Sequence, residues 1–178
     1  ATPGDQVAAA QRFAKAFDGD ARTPAVLVRG AELQWAQQQG DAARTLAQQV
    51  LQRPDAAPDT RRRAHAVLGD VALRSGDAGA AEQAYAQELA LLPADDTAAR
   101  QRAGDRLAAA IYRQAEADRA AGRSADAARH FARVAAQLPA SSAAPAALYD
   151  GALQLIALKD WAGAAQALET LRSRHPQH

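Results

Sequence analysis

One recurrence restricts the fold of this chain more than any other property of its sequence. Gly76 is followed by Ala81, Tyr85 and Pro93, and Gly122 is followed at the same intervals by Ala127, Phe131 and Pro139. A third copy runs Lys159, Ala164, Leu168 and Pro176, with lysine in the glycine position. A fainter first copy, GAELQWAQQQGDAARTLAQQVLQRP, ends in Pro54 but is about three residues short at the turn. Self-similarity of this kind marks small units that cannot bury their apolar faces alone and must stack on their neighbours.

Each unit reads as two helices. Ala64, Leu68, Val71 and Ala72 fall on one helical face, and Ala81, Ala84, Tyr85 and Leu89 fall on a second. Between them Gly76 supplies a residue free to take positive φ, Asp77 an N-cap, and Pro93 a stop. The run 94–121 holds no proline and a single Gly104, so it reads as one long helix. GDQVAAAQRFAKAF near the start reads as a further helix, Thr23-Pro24 as an N-cap and N1 pair, and Ser or Ala before Pro145 as another helix start. The chain is 48% hydrophobic but only 4% aromatic, and the excess is largely alanine, which favours helices throughout.

These positions resemble the tetratricopeptide repeat, which pairs a large and a small residue in helix A with small and aromatic residues in helix B. Leu68, Gly69, Gly76, Ala81, Tyr85 and Pro93 carry the resemblance, with Ala115, Gly122, Ala127, Phe131 and Pro139 in the next copy. Leu148, Ala152, Leu155, Trp161, Ala164, Leu168 and Pro176 carry it in the last. It implies an all-α fold, an α-α superhelix built as a right-handed solenoid of antiparallel helix hairpins. The expected organisation is an N-terminal helical arm over 1–22 and an array over 23–178, with hairpins at 23–54, 58–93, 95–139 and 143–176. Two departures stand out: Asp118 occupies a place that is usually aromatic, and Glu88 one that is usually alanine.

Chemistry is scarce in this chain. Its charges nearly cancel, 21 basic against 20 acidic residues, which removes the electrostatic basis for binding nucleic acid or an anionic membrane. No apolar run is long enough for membrane insertion. There is no cysteine, and His65, His130, His175 and His178 show no metal-binding spacing. No nucleophile motif or phosphate loop is present, so the expectation is a noncatalytic module without metal or cofactor. TRRRAH at 60–65 reads as a solvated face, or else as a contact for an acidic partner. The chain has no Met and opens ATPGDQ, as expected of a processed chain or a piece of a longer one.

The resemblance also implies a partner-binding groove lined by the A helices: Asp70, Leu73 and Arg74; then Tyr112, Glu116 and Arg119; then Tyr149, Leu153 and Ile156. Leu153 and Ile156 have a second reading, as packing for a further repeat. Acidic residues at 70 and 116, where asparagine would clamp a C-terminal carboxylate, disfavour a chaperone-tail receptor. The last 36 residues up to Pro176, from SSAAPAALYD onward, are similar to repeats of bacterial cell-envelope proteins such as the outer-membrane assembly lipoprotein and the Tol–Pal-associated periplasmic coordinator. The implied function is a protein- or peptide-binding scaffold, periplasmic or outer-membrane-associated, with a cytoplasmic location as the alternative. A self-associating spacer, which includes a homodimer, and a helical accessory domain of a cell-wall enzyme remain as other readings.

Overall fold

A computed structural model describes residues 2–178, and every regular element among them is an α-helix. The helices are α1 (Pro3–Ala16), α2 (Thr23–Ala36), α3 (Gly40–Gln52), α4 (Pro58–Arg74), α5 (Ala78–Ala90), α6 (Thr97–Ala120), α7 (Ser124–Gln137), α8 (Ala144–Ala157) and α9 (Trp161–Arg174). They form two compact units that divide between Asp96 and Thr97, with α1–α5 in the first and α6–α9 in the second.

The turns follow from local chemistry. Gly76 and Gly122 take the left-handed conformation at φ 84° and 73°, closing α4 and α6. Asp77 Oδ1 accepts from the Ala80 amide at 2.9 Å, and Asp160 Oδ1 accepts from the Gly163 amide at 2.9 Å, so both cap their helices. Two non-glycine residues fill the same turn position, Lys159 at φ 61° and Gln38 at φ 64°. The second of these corrects the reading of the first copy. Its turn lies at Gln38, from which Ala43 and Ala47 follow at the standard offsets, both fully buried, and Pro54 comes one residue early. Thr23 also differs from expectation. It opens α2, and its hydroxyl donates to the Phe17 carbonyl at 2.6 Å instead of capping the helix.

In the first unit the core runs through Leu27, Val28, Leu46, Val50, Val67 and Val71. The small positions set the spacing between helices. A Cβ on Gly69 would lie 2.4 Å from Cε1 of Tyr85, which is 1% exposed, so that ring fits only over a bare backbone. The approach at Gly30 is looser, a Cβ there standing 3.3 Å from Leu46 Cδ1 and 3.5 Å from the Ala10 Cβ of α1, and α1 packs on α2 through Val7 and Ala10.

In the second unit α6 has 24 residues where α7, α8 and α9 have 14 each. Part of its extra length holds the loop before α8. Asp105 Oδ1 accepts from the Ser142 amide at 2.8 Å, and Gln101 Nε2 donates to the Ala140 carbonyl at 2.9 Å. Phe131 is fully buried, and Gly151 of α8 approaches it so closely that a Cβ there would stand 3.2 Å from the Phe131 Cβ. Gly69, Ala81, Ala115, Ala127, Ala152 and Ala164 are all buried, as the repeat pattern requires.

Candidate functional site

The expected groove residues of the second unit stand on α6 and α8. The Tyr112 hydroxyl donates to the Asp150 carboxylate, and Arg119 Nη1 lies 3.3 Å from Asp150 Oδ1. The Tyr112 ring meets Phe131 edge-on with centroids 5.0 Å apart. Burial, then the hydrogen bond to Asp150 and its charge, push the Tyr112 phenol up to about 12, so it stays a neutral donor near neutral pH. Glu116 lies 3.4 Å from Arg113 and 3.8 Å from Arg119, the ion pairs that its helical spacing predicts. Tyr112 and Arg119 are therefore tied to α8, where they hold two A helices together.

Beside this tie lies a shallow groove of about 410 Å³, lined by Ala109, Tyr112, Arg113, Glu116, Ala143 and Ala146. Its walls are charged and mutually paired, and the alanines leave room for a ligand side chain. On α8, Tyr149, Leu153 and Ile156 are 50%, 41% and 38% exposed.

In the first unit, Asp70 Oδ1 accepts from the hydroxyl of the core Tyr85 at 2.7 Å. Leu73 is half-buried. The Arg74 guanidinium lies 5.3 Å from the centre of the Trp35 ring of α2, and its Nη2 donates to Gln38 Oε1 at 3.1 Å. A second tie between A helices is bidentate, from Arg63 to Glu32 with both contacts at 2.7 Å.

The arginine cluster at 61–63 is consumed inside the unit. Arg61 donates to the carbonyls of Leu51 and Arg53 at the end of α3, at 3.2 and 2.5 Å, and to that of Ala56 in the loop before α4 at 3.0 Å. Arg62 lies 2.7 Å from Asp59 and 3.8 Å from Glu88, the acid buried where an alanine is usual. The other departure has a parallel account. Asp118, 8% exposed, accepts from Arg123 at 2.9 and 2.6 Å and from His130 Nδ1 at 2.8 Å, an ionic clasp across the α6–α7 turn. Hydrogen bonds from the Arg123 guanidinium, and then from His130, hold its carboxyl below the usual range against the opposing effect of burial.

Among the described residues no group of three or more His, Cys, Asp or Glu is placed to hold a metal ion, and no helix is long and apolar enough to cross a membrane. Sequence reasoning missed Asp150 and the alanine floor. Asp150 had a signal, as the one Asp, Glu, Lys or Arg in residues 144–157. Ala109, Ala143 and Ala146 had none in an alanine-rich chain.

The tetratricopeptide repeat profile matches residues 109–141 and 146–178, which cover most of α6 through α9. The solved structure of YrrB, described as a TPR protein with an unusual peptide-binding site, is similar over 98% of this chain and 80% of that one, at 15% sequence identity and a TM-score of 0.53. A comparison with curated proteins finds no match. Matched repeats, glycine turns and small residues buried beneath the helix-B rings agree with one another: residues 109–141 and 146–178 match the tetratricopeptide repeat, and the chain has an all-α fold of the α-α superhelix class.

Proposed function

We propose that this chain is a noncatalytic scaffold that binds a protein or peptide segment on its A-helix surfaces. The observation that carries the reading is the α6–α8 groove, a preformed recess of about 410 Å³ between side chains already fixed by Asp150 and by ion pairs. Pre-organised walls lower the entropy lost on binding. In this reading Tyr112, Arg113 and Glu116 wall the groove, Arg119 braces it through Asp150, and Tyr149, Leu153 and Ile156 extend it with apolar surface of the kind that marks interaction sites. Asp70, Leu73 and Arg74 offer a separate contact surface on α4. YrrB, with its peptide-binding site on a similar fold, supports the reading. The array begins at 23 and is preceded by a helical arm. The likeness of the last hairpin to envelope repeats supports a role in a bacterial cell envelope, periplasmic or outer-membrane-associated.

The test is to select unstructured peptides against the chain by display and to measure their affinity for an Ala146→Arg variant. Arginine at this half-buried position fills the groove, and the expected loss is about tenfold or more. Equal affinity for both proteins defeats the groove reading.

A further inference from the structure

The B helices of the first unit border two recesses that the A-helix surfaces do not explain. α3 and α5 each pack on α4, and between them runs a groove of about 750 Å³. Leu68 and Ala72 of α4 and Ala84 of α5 give it apolar, mostly small lining, while Gln48 of α3 lines one wall and Gln83 and Gln87 of α5 the other. A second groove of about 1020 Å³, between α1 and α3, repeats the lining with Gln11, Gln49 and Gln52. Aligning Gln38 with Gly76 places Gln49 on Gln87, so the amide recurs at a repeat position. Among the described residues none of these side-chain amides has a hydrogen-bond partner. The α3–α5 groove is bounded by two hairpins already stacked on each other, α2–α3 and α4–α5, so a further repeat is not its occupant.

The spacing of the walls names the ligand. Gln83 and Gln87 are one helical turn apart, a rise of about 6 Å. Residues i and i+2 of an extended chain present N–H and C=O groups to the same edge about 6.6 Å apart. A glutamine amide both donates and accepts, so each can take the C=O and N–H of one such residue. Gln48, on the other wall, is placed for the opposite edge, which residue i+1 presents. Side chains of an extended chain stand out of the plane of these edges, and every second one descends on Leu68, Ala72 and Ala84.

The charge at the rim has both signs, Arg44 with Asp77 and Glu82, which selects neither an anion nor a cation. His65 also lines the groove, and burial, followed by the charge of Arg61, lowers its imidazole, so it adds no cation near neutral pH. Among the lining residues there is no Phe, Tyr or Trp on which a base could stack.

We propose that the α3–α5 groove binds an extended, uncharged peptide segment of a partner protein through its backbone, with small side chains seated on the apolar lining. This is a second site, on different helices from the α6–α8 groove.

The probes are uncharged decapeptides selected by display against the full chain carrying Ala146→Arg, so that the α6–α8 groove is filled. An enriched sequence is made as a capped, fluorophore-labelled peptide and titrated by fluorescence anisotropy. Gln83→Ala with Gln87→Ala should weaken binding about tenfold or more, the effect of losing both amide pairs. Both glutamines are exposed, so this double variant keeps the wild-type melting temperature. N-methylation of two alternate peptide nitrogens on the edge that faces α5 should abolish binding, whereas alanine at any one peptide side chain should weaken it less than about threefold. Wild type and Ala146→Arg should bind the peptide equally, which separates this site from the α6–α8 groove. Three results overturn the proposal: no peptide enriched on the Ala146→Arg chain, equal affinity for the double glutamine variant, or N-methylated peptides that bind as well as the parent.

Discussion

Gly69 and Tyr85 form one packing unit, because the ring lies where a Cβ on residue 69 would have to go, 2.4 Å away. Gly69→Ala forces the ring aside, and the expected cost is about 1–3 kcal/mol, read from the denaturant midpoint at unchanged m-value. The pairing was legible in the sequence, since a small residue in helix A and an aromatic in helix B sit at repeat positions. The Asp118 clasp was not legible, because Arg123 and His130 come to it only when the turn folds. Asp118 carries a pH dependence. Its folded pKa lies below its ordinary value, so the native state gains stability above the ordinary carboxylate range and loses it as pH falls through the folded value. Asp118→Asn should therefore destabilise the protein near neutral pH, and the gap to wild type should close in strong acid. Urea unfolding at the two pH values checks this, and a gap that widens in acid refutes it.

At the scale of the element, the turns separate what sequence can announce from what it cannot. Glycine announces the ends of α4 and α6, and the repeat register places Lys159 at the same turn position, but Gln38 adopts the left-handed conformation unannounced. Left-handed backbone costs a side chain about 1 kcal/mol relative to glycine. Lys159→Gly should raise stability by about 0.5–1 kcal/mol and Gly122→Ala should lower it by about 1 kcal/mol, both measurable by thermal melting. A Lys159→Gly variant that melts lower would show that the lysine makes a compensating contact. The length of α6 was readable from the absence of proline over 94–121. Its purpose was not, since Asp105 and Gln101 meet the 140–142 loop only across the folded hairpin.

For the molecule as a whole, stability in a repeat array is a sum of nearest-neighbour interfaces. Within the second unit α9 has a single buried residue, Ala164, whereas α6, α7 and α8 each bury five or more. Amide exchange should release α9 first and α6–α8 later, and an α9 protected as well as α8 would contradict that ordering. The sequence by itself determined the hairpins and the small positions beneath the helix-B side chains, because helical period, glycine and proline act locally. Only the tertiary structure decided which charges remain available to a partner. Arg61, Arg63, Tyr112 and Arg119 all read as surface residues along the chain, yet each is bound to a group on another helix or at its end. Those pairings depend on how one A helix lies beside the next, and that geometry exists only after the apolar faces have stacked.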